Sequence, residues 1–217
     1  MKAHESAQVG LVAVVFALFV RTFLFQAFVV PSSSMERTVL VGDHLLVNKF
    51  LFAPHLEGPL AGLLPYRQVR RGDVVVFKFP ENPRRDFVKR AVALPGDLLE
   101  IRDKEVFVDG SRVSEPRAFH SQERVWTADH GLPEALRVRD QLRPTRIPPD
   151  AYFVMGDNRD DSYDSRFWGA VPAANLKGRA LLVYWSIPPS QTGRGLPGRI
   201  ADFFSETRWS RTFLTVR

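Results

Sequence analysis

A long apolar run near the N-terminus constrains this chain more than any other feature. Val9–Val30 is predominantly apolar, and Arg21 is its one charged residue. Wound as a helix, the run is roughly 33 Å long, enough for a bilayer hydrocarbon core of about 30 Å. We therefore predict one N-terminal transmembrane helix over residues 9–30. A cytoplasmic stub over 1–8 precedes it, and an extracytoplasmic domain over 31–217 follows.

Two other interpretations of this run stay open. A cleaved signal peptide also has an apolar core, but its positive region would be thin here, because Glu5 opposes Lys2. A buried core helix is the second alternative, although Gly10–Val20 is apolar on every face, which is unusual in a small domain. Arg21 at mid-membrane costs on the order of 2.5–3.5 kcal/mol, which the uninterrupted run outweighs.

After the run, short β-type segments alternate with Gly, Pro and Asp, which predicts a mainly β fold. Asp103-Lys104 is predicted to form a tight hairpin turn, and Arg199–Val216 carries an apolar stripe that predicts a C-terminal helix. The predicted strands are Thr38–Val41, His44–Phe50, Asp73–Phe79, Phe87–Leu94, Leu98–Arg102, Glu105–Val108, Ala151–Met155 and Ala180–Ser186.

Two segments do not follow this pattern. Residues 111–149 are rich in Arg and Pro with weak periodicity, so we predict an inserted, partly irregular lobe there. Residues 51–64 are apolar without strand character, which indicates either a covered loop or a surface that touches lipid. A chain of 217 residues has room for one moderate domain and an anchor.

Composition narrows the classes of function. The chain has no Cys, which excludes thiol nucleophiles, disulfides and thiolate metal sites. Its net charge of +6 comes mostly from scattered Arg, without a dense basic run or a nucleic-acid module. We therefore expect no nucleic-acid partner and attribute the charge to attraction for anionic membrane lipids.

A serine cluster and one lysine are the candidate reactive groups. The segment Pro31–Met35 brings Ser32, Ser33 and Ser34 straight off the apolar run. Lys89 lies in an apolar segment, where strand alternation places it on one face with Phe87. At a pKa of about 10.4 only about one lysine in a few thousand is neutral at pH 7, and burial lowers that pKa. An edge-strand lysine that faces water is the alternative.

An acidic loop follows the strand that ends at Met155. Asp157, Asp164, Arg159 and Arg166 favour an ion-pair network that keeps this loop rigid, with the Ser162 hydroxyl placed to orient the lysine amine. A calcium loop is disfavoured, because the central Gly and final Glu of an EF-hand are missing. The five His show no metal-type spacing, although spacing alone leaves a Ser/His/Asp triad open. We expect no metal and no cofactor.

Five motifs that occur in order carry a family resemblance. The chain resembles bacterial type I signal peptidases (leader peptidases) from the apolar run to about Ala180, and Arg208-Trp209-Ser210-Arg211 is similar to their C-terminal stretch. The motifs are Pro31-Ser32-Ser33-Ser34-Met35, Gly42-Asp43, Arg71-Gly72-Asp73-Val74-Val75, Lys89-Arg90-Ala91-Val92-Ala93-Leu94-Pro95-Gly96-Asp97 and Gly156-Asp157-Asn158-Arg159-Asp160-Asp161-Ser162-Tyr163-Asp164-Ser165-Arg166.

The resemblance implies a role for each matched residue. It implies that Ser34 is the nucleophile and Lys89 the general base, with Ser32 and the Ser34 N–H forming the oxyanion hole. It further implies that Ser162 positions the lysine, and that a supporting ion pair is formed by Asp164 and Arg166. The fold it implies is a signal-peptidase-like β catalytic domain over 31–217.

The resemblance also implies a substrate and a location. The substrates are preprotein signal peptides cut after small residues of the Ala-x-Ala type, with pocket walls from 39–47 and 79–94. The enzyme would be a monomer in the bacterial cytoplasmic (inner) membrane. A conjugation-associated or organellar Ser/Lys processing protease and a non-catalytic membrane-tethered binding protein are the alternatives. The family usually has Pro where this chain has Arg37, so we expect a looser backbone after the nucleophile.

Overall fold

The computed structural model describes residues 2–19, 24–49, 67–127, 131–189 and 203–217. Its N-terminal element is a helix, α1 (Lys2–Phe19), whose large apolar side chains between Val9 and Leu18 are exposed. Among the described residues, no helix combines the length and the apolar character that crossing a membrane requires. The segment 51–64, which we singled out for possible lipid contact, lies outside the described residues.

The prediction of a single helix over 9–30 is wrong at Phe25–Val29, which form a strand. The α1 helix ends at Phe19, and a strand, β1 (Phe25–Val29), follows in the chain. This strand pairs with Asp43–Asn48 in an antiparallel register. A five-residue apolar segment fits either a helix or a strand by periodicity alone. Its pairing partner, almost twenty residues further along the chain, decides between them.

The described residues form twelve strands in two antiparallel sheets, which makes the fold mainly β, as predicted. The strands after β1 are β2 (Asp43–Asn48), β3 (Val74–Phe79), β4 (Asn82–Ala93), β5 (Leu98–Arg102), β6 (Glu105–Val108), β7 (Ser111–Arg112), β8 (Leu142–Arg146), β9 (Ala151–Met155), β10 (Val171–Pro172), β11 (Leu176–Ser186) and β12 (Leu214–Thr215). The larger sheet has the order β1-β2-β11-β3-β4-β9-β10, with β12 paired to β11, and the smaller has the order β7-β6-β5-β8.

Three predicted strands, β5, β6 and β9, have the bounds that alternation indicated. The turn at Asp103-Lys104 has positive φ at both residues, as a two-residue hairpin turn requires. Thr38–Val41 is not a strand, because Thr38 and Val39 both donate their N–H groups to the Met35 carbonyl in a tight turn.

Within the part of the C-terminal segment that the structure describes, the predicted helix over 199–216 is confirmed only over 203–206 and is wrong beyond it. A short 3-10 turn occupies Trp209–Arg211, and β12 follows it and pairs with β11. The remaining short helical elements are α2 (Glu134–Arg137), α3 (Ser165–Trp168) and two further 3-10 turns, at Ser33–Met35 and Ala173–Asn175.

The smaller sheet extends over residues 98–146, so this part of the fold begins before the predicted start of the lobe at residue 111. Its strands bury an apolar cluster against the ends of β4 and β9, where Val92 and Phe153 meet Leu99 and Ile101. A second cluster, with Met35, Val39 and Leu45 fully buried, fixes the segment between β1 and β2. Packing therefore holds the serine turn and strand β4 together.

Candidate active site

The structure brings Ser34 and Lys89 into direct contact. Ser34 lies in the 3-10 turn that follows β1, and Lys89 lies in β4, opposite Val75 of β3. The Lys89 Nζ and the Ser34 Oγ form a buried hydrogen bond, and the two residues are 4% and 6% exposed. Lys89 also lies 5.7 Å from the centre of the Phe87 ring, on the shared face that alternation predicted. The lysine does not face water.

Burial changes the acid–base chemistry of this lysine. Desolvation lowers the pKa of Lys89 from 10.5 to about 8, with the charge of Arg166 acting in the same direction and that of Asp164 opposing it. At pH 7 this pKa leaves about one amine in ten neutral, against roughly one in three thousand for a free lysine. The environment therefore makes Lys89 able to accept a proton near neutrality.

Ser32 lies beside the same hydroxyl. Its Oγ is 3.3 Å from the Ser34 Oγ, and its backbone is extended at the start of the 3-10 turn. Ser33, the third serine of the cluster, donates instead to the Asp161 carboxylate at 2.7 Å. The geometry thus separates the three serines: Ser34 contacts the lysine, Ser32 contacts the Ser34 hydroxyl, and Ser33 connects the turn to the acidic loop.

The acidic loop, residues 156–166, packs directly on the serine turn. The Asn158 N–H donates to the Ser34 carbonyl at 3.1 Å. Gly156 has no room for a side chain, because a Cβ there would overlap the Ser34 carbonyl oxygen and the Ser162 hydroxyl. Ser162 is therefore buried next to the site. No hydrogen bond between its hydroxyl and the Lys89 amine is found among the described residues, so its orienting role stays a prediction.

One predicted ion pair of the loop has the expected partners. Arg166 contacts both carboxylate oxygens of Asp164 at 2.9 Å, and both side chains are buried. Burial alone would raise the pKa of Asp164, but the Arg166 charge and the Gly156 N–H hold it below its ordinary value of 3.8. Asp164 also caps α3 by accepting from the Arg166 N–H. The carboxylate is thus charged behind the site.

The other two members of the predicted network, Asp157 and Arg159, take partners outside the loop. Asp157 accepts two hydrogen bonds from Arg90, each 2.7 Å long, and one from Thr38 at 2.5 Å. Arg159 instead binds Glu115 of the lobe through two contacts of 2.6 Å. Strand register decides these partners. The sequence did hold one signal for the partner of Arg90. This arginine lies next to Lys89 on the opposite face of β4, and a buried arginine needs a carboxylate as its counterion.

Arg37 has an unexpected backbone conformation. Its φ of 76° lies in the left-handed region, whereas proline is fixed near −65°. The guanidinium lies 4.3 Å from the centre of the Phe119 ring, which belongs to the lobe. The expected loosening of this turn is therefore offset by a contact that the sequence did not reveal.

A cleft of about 370 Å³ opens onto the two reactive groups. Its apolar walls come from β1, β3 and β4, through Phe28, Phe79, Phe87 and Val88. Phe79 and Phe87 stack at 4.5 Å between ring centres. Residues 39–47, predicted as a second wall, are not among the residues that line this cleft, and Val39, Leu45 and Val47 are buried in the core. Within the described ranges, no three His, Asp or Glu residues are grouped to hold a metal ion.

Comparisons with known proteins agree on one family. The model of the family described as "Signal peptidase, peptidase S26" matches residues 3–185. A signal peptidase I of Pseudomonas aeruginosa is 37% identical over 195 residues, which cover 79% of this chain and 68% of the relative. A signal peptidase I of Aquifex aeolicus is 32% identical, covering 78% of this chain and 79% of the relative. A crystal structure of a signal peptidase I from Enterococcus faecalis is 28% identical, with a TM-score of 0.39 over 52% of this chain and 97% of that chain.

Proposed function

Since the chain belongs to the signal peptidase family, peptidase S26, we propose that it is a serine endopeptidase that removes N-terminal signal peptides from exported preproteins. Ser34 is the nucleophile and Lys89 the general base. The observation that carries this proposal is the buried contact between the Lys89 amine and the Ser34 hydroxyl, with the pKa of Lys89 lowered to about 8.

The reaction is an acyl transfer in two steps. Neutral Lys89 takes the proton of the Ser34 hydroxyl as the Oγ attacks the scissile carbonyl, and the resulting ammonium gives that proton to the leaving amine. An ester on Ser34 remains. Lys89 then takes a proton from water as the water oxygen attacks the ester, and it returns this proton to the Ser34 Oγ as the carbon–Oγ bond breaks. The free Ser34 hydroxyl is restored, and the new C-terminus leaves as a carboxylic acid that ionises in solution. No step needs a metal or cofactor.

Charge on the carbonyl oxygen develops beside the serine turn. We assign its stabilisation to the Ser34 N–H and the Ser32 hydroxyl, because Ser32 lies 3.3 Å from the attacking oxygen. One such donor contributes about 3–4 kcal/mol to the barrier in comparable sites. Ser162 and the Asp164–Arg166 pair are assigned supporting roles behind the lysine.

The cleft favours an extended peptide with small side chains near the cut. The stacked rings of Phe79 and Phe87 narrow the space in front of Lys89. Residues as small as Ala, at the first and third positions before the cut, would fit the narrowed space in this cleft. The substrate is thus a preprotein cleaved after an Ala-x-Ala type of sequence.

We place the protein at the bacterial cytoplasmic membrane, with the catalytic domain on the extracytoplasmic side. Support comes from α1, where seven large apolar side chains between Val9 and Leu18 are 56–70% exposed. Exposed apolar surface of this extent is typical of a contact with lipid. Co-flotation of the full chain with anionic vesicles, lost when Val12 and Phe16 are both changed to Asp, is the expected result; flotation unchanged by these substitutions would contradict this placement.

Cleavage of a preprotein with an Ala-x-Ala site, followed by mass spectrometry, tests the activity. We expect the full chain in detergent to cut after the second Ala, and Ser34→Ala and Lys89→Ala to be at least about a thousandfold slower. Ser33→Ala is the matched control, because its hydroxyl faces Asp161. Wild-type rates in Lys89→Ala would overturn the mechanism, and a wild-type chain that cuts no such site would overturn the proposed function.

A further inference from the structure

We infer that the lobe is a positioning element for the nucleophile: Glu115, acting through Arg159, holds the acidic loop against the carbonyl of Ser34. This inference rests on the proposed function. It concerns residues outside the reactive groups and gives the 111–149 segment a role in the reaction. Three sets of contacts carry it.

The first contact is a buried, two-pronged ion pair. The Arg159 guanidinium is 1% exposed and makes two contacts of 2.6 Å with the Glu115 carboxylate. Its Nε also donates to the Gly156 carbonyl at 3.0 Å, inside the acidic loop. A guanidinium so deeply buried needs its counterion, because an unpaired buried charge is strongly destabilising. Glu115 therefore fixes Arg159 and, through it, the start of the loop.

The second contact runs through the backbone of Phe119. Its N–H donates to the Asp157 carbonyl at 2.9 Å, and its carbonyl accepts from the Arg159 N–H at 3.0 Å. Between these bonds, the Asn158 N–H points the other way and donates to the Ser34 carbonyl at 3.1 Å. A series of backbone hydrogen bonds thus connects the lobe, through the acidic loop, to the backbone of Ser34.

The third contact reaches the serine turn directly. Arg37 stacks its guanidinium on the Phe119 ring, so the same lobe residue touches both the loop and the turn. The left-handed φ of Arg37 is uncommon for a residue with a side chain, and a stabilising contact is expected where it occurs. An exposed contact of this kind shifts an equilibrium by roughly two- to fivefold.

The arrangement predicts which kinetic parameter responds. The apolar strand residues that line the cleft belong to β1, β3 and β4, which the lobe contacts do not include, and the acidic loop adds only Asp161 and Tyr163 to the lining, so substrate binding should change little when the contacts are broken. Desolvation in the buried position on β4 is the largest cause of the lowered pKa of Lys89, ahead of the charges of the acidic loop, so the pH dependence of the base should stay close to that of wild type. Breaking the contacts should instead displace Ser34 from its position for attack, and a displaced nucleophile lowers kcat.

Kinetics of Glu115→Gln in the full chain test the inference. We expect kcat per titrated active site to fall by about tenfold or more, with KM within about twofold and the acid limb of the pH profile unchanged, and Glu115→Asp to recover part of the loss. The matched control is Glu105→Gln, which breaks the exposed pair between Glu105 of β6 and Arg112 of the lobe and should leave kcat unchanged. A wild-type kcat per active site in Glu115→Gln, or a loss seen only in KM, would overturn the inference.

Hydrogen exchange supplies a second measurement, which leaves the buried Glu115–Arg159 ion pair intact. Arg37→Asn removes the stacked guanidinium, and Asn tolerates a left-handed φ. We expect amide exchange in a peptide covering residues 156–161 to be about two- to fivefold faster than in wild type, with no change in Glu105→Gln. Unchanged exchange would refute the link between lobe and turn. If instead wild type itself cleaves no preprotein, the proposed function fails. The exchange result then still tests whether the lobe holds the acidic loop, because it does not depend on activity.

Discussion

Replacing Lys89 by Met should make the protein more stable at pH 7 while abolishing its activity. The lysine is 4% exposed, and burial lowers its pKa from 10.5 to about 8. That change corresponds to about 3 kcal/mol that the folded state loses by holding a charged amine there. Met is apolar and of similar length, so it avoids this penalty and gives up one hydrogen bond of about 1 kcal/mol. We expect a net gain of about 2 kcal/mol.

The gain should depend on pH in a defined direction. Below pH 8 the amine is protonated in both the folded and the unfolded chain, so the full penalty applies to wild type. Between pH 8 and about 10.5 the unfolded chain binds more protons than the folded one, so wild-type stability rises relative to the variant by about 1.4 kcal/mol per pH unit. Above that window the advantage of Lys89→Met disappears.

Urea unfolding of both proteins at pH 7, 8, 9 and 10 measures this difference. Lys78→Met is the matched control, because Lys78 lies on the neighbouring strand with its side chain exposed. The control should show no comparable gain at any pH. If Lys89→Met is less stable than wild type at pH 7, or if the difference does not shrink with rising pH, the lysine is not held in a desolvated site and the reasoning fails.

Three further outcomes follow from the site. Ser32→Ala should lower kcat by about a hundred- to a thousandfold, while Ser33→Ala stays within about threefold in the same preprotein assay; equal losses would refute the oxyanion assignment. Asp157→Asn leaves a buried guanidinium without its counterion and should lower the free energy of unfolding by about 3–5 kcal/mol, measured by urea titration; a change below 1 kcal/mol would contradict this. Asp164→Asn removes a charge that raises the pKa of Lys89, so the acid limb of kcat/KM should move below pH 8, and a shift to higher pH would show that the sign is wrong.

The parts of the fold that the sequence predicted well are those in which local pattern and pairing agree. β5 and β6 alternate regularly and are joined by a two-residue turn, so their bounds follow from the chain itself. β1 could not be found in this way. Its apolar residues continue those of α1, and only pairing with β2 makes them a strand. The C-terminal stripe is helical over 203–206, but its end could not be assigned from the pattern, since β12 forms by pairing with β11.

The pairing of Ser34 with Lys89 could be predicted from the motifs, whereas the contacts that surround the pair could not. Motifs identified Ser34 and Lys89, whose side chains the structure brings together. The partners of the buried arginines depend on which strands and loops meet in space. Glu115 of the lobe takes Arg159, and the stacking of Arg37 on Phe119 joins the lobe to the serine turn. No spacing in the sequence encodes contacts between segments 44 or 82 residues apart.

A direct titration of Lys89 tests the central claim, which is that burial makes this amine a usable base. The full chain, labelled with carbon-13 at lysine Cε, is followed by NMR from pH 6 to 11, and the Lys89 signal is assigned by its absence in Lys89→Met. We expect its midpoint near pH 8. A midpoint near 10.4, the value of a lysine in water, would contradict the account.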